Sequence, residues 1–139
     1  MFVLDTNHVT ELAYRSLAGE RLRNRILEAG GTVVTTVVTL EEEFRGLLAK
    51  ANRARDDGEQ ILVYQKMIER VNFFSRWVVL PLDVESAEGV RRLRSQGIRI
   101  GTQDLRIASI TMAHGATLLT RNTVDFVKVP GLRFDNWLD

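Results

Sequence analysis

Four short stretches carry side chains able to do acid chemistry. In "MFVLDTN", Asp5 follows three apolar residues, at what should be the end of a buried strand. A charge at that depth costs several kcal/mol unless it is paired, hydrogen-bonded or bound to a metal. "TLEEEFRG" supplies Glu41, Glu42 and Glu43, which leave a helix about 100° apart, so all three cannot reach one site. "GTQDLRIASITMAHG" puts Asp104 in a first helical turn, and "LLTRNTVDF" puts Asn122 directly after a strand with Asp125 three positions on.

Each stretch alone has a plain structural explanation. Thr39 with Glu42 reads as a capping box, and Asp104 behind an N-capping Thr102 suits a helix dipole. Asn122 reads as the cap of a short turn that Asp125 completes. Taken together, Asp5, a glutamate of the middle stretch, Asp104 and the Asn122/Asp125 pair would share one rim of a sheet. Two carboxylates about 5 Å apart repel by about 3 kcal/mol at an effective dielectric of roughly 20. A cluster therefore calls for raised pKa values or a cation. Oxygen ligands, with no His or Cys at ligand spacing, favour Mg²⁺ or Mn²⁺ over zinc.

The elements that must position these groups alternate between strand and helix. Strands are expected at Phe2 to Asp5, Thr32 to Thr39 (all β-branched), Val78 to Leu82 and Ala116 to Thr120, with "LRFDNW" as a last edge strand. Helices are expected over His8 to Arg15, Arg21 to Ala29, from Thr39 onward with Leu40, Phe44, Leu47 and Ala51 on one face, and over Glu59 to Trp77 with Ile61, Tyr64, Ile68 and Val71 on one side. Two more run from a cap at Asp83 to about Gln96 and from Thr102 to His114. No two-residue hairpin turn joins the strands, so the connections are parallel crossovers. The fold class is α/β: a three-layer α/β/α domain around a central, mostly parallel twisted sheet of about five strands, covering residues 1–139 as one domain. Ligands of such sheets bind beyond the carboxyl ends of the strands, where strand order reverses.

Composition narrows the classes further. With 45% hydrophobic and 27% charged residues the chain is of the ordinary globular kind. The absence of a long apolar run or a signal-like N-terminus predicts a cytoplasmic protein without a membrane partner. Zero cysteines exclude disulfides and thiolate chemistry. Sixteen Arg against three Lys, at a net charge of +1, point weakly to polyanions. Arg91, Arg92, Arg94 and Arg99 read first as a solvated helix face, His8 and His114 as isolated structural histidines, and Phe73, Phe74 and Trp77 as packing.

"VLDTN", "TVVTLEEEFRG", "DLRIASITMAHGATLLTRNTVDF" and "PGLRFDNW", in this order over nearly the whole chain, resemble the PIN-domain nucleases, and within them the VapC-type toxins of toxin-antitoxin modules. The resemblance assigns the family's acids to Asp5, Glu42 and Asp104; Glu42 is chosen by Gly46 four positions on. It assigns hydroxyls near the metal to Thr6 and Thr36, a polar support to Asn7, and the last motif to Arg121, Asn122 and Asp125. Many family members carry aspartate where this chain has Asn122, though asparagine is also familiar among VapC-type members; the resemblance then implies one charge fewer and a second metal that binds weakly or only with substrate. The resemblance implies a Mg²⁺- or Mn²⁺-dependent endoribonuclease that cuts RNA, a tRNA or ribosomal RNA, and that works as a homodimer. It also implies a cognate VapB-type antitoxin, whose C-terminal segment crosses the groove near the Glu59 to Trp77 helix and offers an arginine to the carboxylates. Two other readings stand beside it: a non-catalytic PIN-like module that binds RNA or protein, and a phosphatase using Asp5 as nucleophile, which lacks a second acid at Asn7.

Overall fold

The computed structural model describes residues 1–139. Five strands, β1 (Phe2–Leu4), β2 (Val33–Thr36), β3 (Val79–Leu80), β4 (Thr117–Leu119) and β5 (Arg133–Asp135), form one sheet in the order β3-β2-β1-β4-β5. All four pairings are parallel, with Val3 opposite both Val34 and Leu118. The expected parallel α/β sheet is therefore present, and the order reverses at β1, whose sequence successor β2 lies on one side and β4 on the other.

The two-residue period of the strands divides the interior. Val3, Val34 and Leu118 face a core built with Val90, Leu93, Ile107, Ile110 and Phe126. Leu4 and Leu119 face the opposite core with Val9, Leu12, Leu22 and Phe74. The first is covered by α5 (Val84–Ser95) and α6 (Thr102–Ala113). The second is covered by α1 (Thr6–Tyr14), α2 (Leu17–Ala29) and α4 (Asp57–Phe74). The helix α3 (Val37–Arg53) serves both, with Val38 on one side and Leu40 and Phe44 on the other. A short α7 (Thr123–Phe126) follows β4.

Several boundaries differ from the sequence reading, for local reasons. The β-branched run stops being a strand at Thr36, because the Thr36 hydroxyl accepts the Thr39 amide at 3.2 Å and caps α3 three residues earlier than expected. Asp83 does cap α5, in a reciprocal box with Ser86. Gly101, rather than Thr102, caps α6, and no side chain bonds its first turn. The largest departure is in α4. Val63, Arg70 and Phe74 are its buried residues, whereas Ile61, Leu62, Tyr64, Ile68 and Val71 are each more than half exposed. Its apolar stripe is a surface, not a core face.

One contact seats α6, and with it Asp104. A Cβ at Gly89 would fall 2.1 Å from the Ser109 hydroxyl, so only glycine lets α5 approach so near. That hydroxyl donates to the Ser86 carbonyl at 2.5 Å.

Candidate active site

Asp5 ends β1 and begins α1. As N-cap, its Oδ1 accepts the Thr6 amide at 2.7 Å. Its Oδ2 accepts the Thr120 hydroxyl, also at 2.7 Å, from the end of the neighbouring strand β4. The residue is 8% exposed. Capping thus occupies one carboxylate oxygen and leaves the other turned across the β1/β4 junction, where the strand order reverses.

From Asp5 the polar groups form a continuous chain in both directions. On one side the Thr6 hydroxyl donates to Glu42 Oε2 at 2.6 Å and stands 3.5 Å from the Thr39 hydroxyl. On the other, the Thr120 hydroxyl accepts the Asn122 amide at 3.0 Å. The Asn122 side-chain amide then donates to Asp104 Oδ2 at 3.2 Å and Asp125 Oδ2 at 3.0 Å. Asn122 precedes α7 without its side chain accepting a backbone amide of the first turn, so that side chain is spent on the two acids and not on capping. The structure brings Asp5, Thr6, Glu42, Asp104, Asn122 and Asp125 into one hydrogen-bonded network, held by hydroxyls and an amide.

Three expected members make no side-chain hydrogen bond to this network, although the register of β1 with β2 sets Thr36 beside Asp5. Thr36 is buried at the root of α3 with its oxygen used by the cap. Asn7 is exposed and makes no side-chain hydrogen bond, because the first turn of α1 carries it away from Thr6 by about 100°. Arg121 turns from the acids to pair with Glu11 at 3.6 Å and Asp139 at 3.4 Å. Conversely, Thr120, fully buried, is a member the sequence reading missed. A threonine closing a parallel strand beside the Asp5 strand was the available signal.

Electrostatics set this network apart. Burial pushes the Asp5 carboxyl above its ordinary value, against the Thr120 and Thr6 hydrogen bonds. Glu42 is also raised, by burial first and by the Asp5 charge, against its bond from Thr6. Asp104 is pushed up to about 6 by burial and then by the charges of Asp5, Asp125 and Glu42. No Lys, Arg or His lies within ion-pair distance of Asp5, Glu42 or Asp104. No three acidic or histidine side chains converge closely enough to make a ready coordination sphere. The donor set still fits a hard divalent cation: it is all oxygen, its acids repel one another, and no basic side chain forms an ion pair with them, Arg45 acting on Glu42 only from a distance. Asp5, Asp104 and Glu42 are the residues that could hold one.

The chain matches the PIN domain family over residues 2–132. It belongs to the PIN-domain family. Over 138 residues this PIN-domain chain is 25% identical to Ribonuclease VapC2 of Rickettsia felis, spanning 99% of the chain and 98% of that relative. It is 27% identical over 140 residues to the tRNA(fMet)-specific endonuclease VapC of Shigella flexneri, spanning 98% and 97%. Its fold is similar to that in the crystal structure of VapBC2 from Rickettsia felis bound to a promoter DNA fragment, with a TM-score of 0.74 at 23% identity and 98% of both chains covered.

The PIN fold here also has a groove of about 660 Å³ between α1, α2 and α4, away from the acids. Tyr14, Phe73 and Trp77 give it an apolar wall, and Arg15, Arg23, Lys66 and Arg76 give it a positive rim. Its lining includes none of Asp5, Glu42, Asp104 or Asp125, so the groove is separate from the acidic network.

Proposed function

We propose that this chain is a VapC-type endoribonuclease, the toxin of a toxin-antitoxin pair, and that it hydrolyses RNA phosphodiesters with Mg²⁺ or Mn²⁺ at Asp5, Glu42 and Asp104. The observation that carries the reading is the single network from Glu42 through Thr6, Asp5, Thr120 and Asn122 to Asp104 and Asp125. It gathers acids from four separate stretches at the strand reversal and gives none of the first three a basic partner. The similarity to ribonucleases named VapC supports the substrate class.

A bound divalent cation would supply charge neutralisation at the scissile phosphate and a more acidic attacking water. Glu42, half-buried and with its carboxyl raised, suits the acceptor of that water's proton, and Thr6 fixes which of its oxygens is free. Asp5 is oriented twice, by the Thr6 amide and the Thr120 hydroxyl, and so is the more rigid ligand. Asp104 is oriented by Asn122. That amide takes the place of a further carboxylate and stands between Asp104 and Asp125 as a neutral donor. The single domain over residues 1–139, a cytoplasmic location and a homodimer belong to the same proposal. The exposed stripe of α4 and the basic, aromatic groove beside it support protein partners, a second copy of the chain and a VapB-type antitoxin. No helix is long and apolar enough to cross a membrane.

The test is cleavage of tRNA and ribosomal RNA by the purified chain with and without Mg²⁺ or Mn²⁺. Cleavage that stops with EDTA and in Asp5→Ala and Asp104→Ala is expected. Cleavage that persists in all three defeats the reading. Salt-sensitive RNA binding without turnover under either metal would favour a non-catalytic module instead.

A further inference from the structure

Glu43 is the acid beside the site that the acidic mouth does not use. It follows Glu42 on α3, yet both side chains meet α1. Glu42 accepts from Thr6, and Glu43 Oε1 accepts from the Thr10 hydroxyl at 2.6 Å. Thr6 and Thr10 are four residues apart and share one face of α1. Two hydrogen-bonded rungs therefore tie the helices, one at the site and one a turn deeper.

The deeper rung has a third leg. Arg70 of α4 brings Nε to 3.3 Å from Glu43 Oε2, with both side chains about nine-tenths buried. Its guanidinium lies 4.8 Å from the centre of the Tyr14 ring of α1. Nε makes no aligned hydrogen bond, so charge and the ring face hold it. A buried pair is a weak source of stability, because desolvation offsets the attraction and apolar side chains of similar volume pack as well or better. Such packing is at hand in Leu12, Phe44 and Phe74 of the adjoining core.

What the pair does hold is the rotation of α3. Glu42 sits where Asp5 repels it, half-buried, and the Thr6 hydroxyl is its one donor. A small turn of α3 about its axis would swing the carboxylate into solvent. Resting on the role given to Glu42 above, we propose that Glu43, Thr10 and Arg70 are positioning residues that lock α3 against α1 and so keep the Glu42 carboxylate on Thr6 at the acidic mouth.

The test replaces the pair with apolar groups in Glu43→Leu/Arg70→Met and follows melting temperature, kcat and KM on the RNA that the parent cleaves. Expected are an equal or higher melting temperature, a kcat lower by about tenfold, and a KM within about twofold. Combined with Thr6→Val the losses should be less than multiplicative, since both changes release Glu42. Parental kcat in the double variant, or multiplicative losses, overturns the proposal. Should that variant not fold, Thr10→Val removes one hydroxyl only, and an unchanged kcat there overturns it equally. Carbon-13 NMR of the Glu42 carboxyl reads the same displacement without substrate. A resonance moved to that of an exposed glutamate supports the lock, and an unmoved one refutes it. A parent that cleaves no RNA but shows the NMR displacement would break the functional reading and leave the lock intact.

Discussion

Glu42 and Glu43 are chain neighbours held in opposite ways. Glu43, at the α1–α3–α4 junction, has a guanidinium and a hydroxyl. Glu42, at the strand ends, has a hydroxyl and the repulsion of Asp5. The same contrast runs through the molecule: Glu11, Glu41, Glu59, Asp125, Asp135 and Asp139 each pair with Arg or Lys, while Asp5, Glu42 and Asp104 do not. A chain with sixteen arginines could have neutralised its buried acids. It pairs Glu43 at the helix junction and Asp125 at the edge of the mouth, and leaves Asp5, Glu42 and Asp104 without an ion-pair partner.

The contrast breaks most readily at its extremes. Asp5→Ala and Asp104→Ala are expected to lower RNA cleavage by about a thousandfold, whereas Glu41→Ala, which loses an exposed pair with Arg45 and an exposed hydrogen bond from Gln103, should change it less than about twofold. Equal losses would erase the distinction. Next in size is the dependence on acid. Asp104 must be ionised to hold a cation, and its value of about 6 predicts that cleavage declines as pH falls through 6, measured as kcat/KM against pH.

The same group gives a stability effect of the opposite sense. Its folded value lies above the ordinary 3.8, so between 3.8 and about 6 the folded chain binds more protons than the unfolded one. Its contribution therefore falls as pH rises through that window and does not recover above it. Asp104→Asn should accordingly raise the melting temperature at pH 8 and leave it nearly unchanged at pH 3.5. Asn122→Asp sharpens the comparison in a subtler way. Replacing the donor between Asp104 and Asp125 with a third acid should lower the melting temperature without divalent cations and enlarge the gain that millimolar Mg²⁺ gives. Arg121→Ala should do least, leaving the urea unfolding midpoint nearly unchanged, because its ion pairs with Glu11 and Asp139 lie at the solvent surface.

The parts of this picture carried by periodicity were legible in the sequence. The alternation of strand and helix gave the parallel sheet, and the abrupt acid after "FVL" marked the strand end where Asp5 sits. What periodicity could not supply was direction. In α4 the stripe of Ile61, Tyr64, Ile68 and Val71 has helical spacing like any core face, but the helix packs on Val63, Arg70 and Phe74 instead. For α3, spacing alone did not decide among Glu41, Glu42 and Glu43, because the choice depends on how α1 crosses it. Thr120 was invisible for a similar reason: its importance comes from β4 lying beside β1, a pairing between residues far apart in the chain. Arg121 was assigned with Asn122 and Asp125 by the family resemblance, and the structure pairs it with Glu11 and Asp139.

The most direct measurement is calorimetric titration of the purified chain with Mn²⁺ at pH 7.5, alongside Asp5→Asn, Asp104→Asn and Arg121→Ala. Binding in the parent and in Arg121→Ala, lost in both aspartate variants, is the predicted result. Undiminished binding in the aspartate variants, or none in the parent, would contradict the account of the strand-end acids as one cation-holding set.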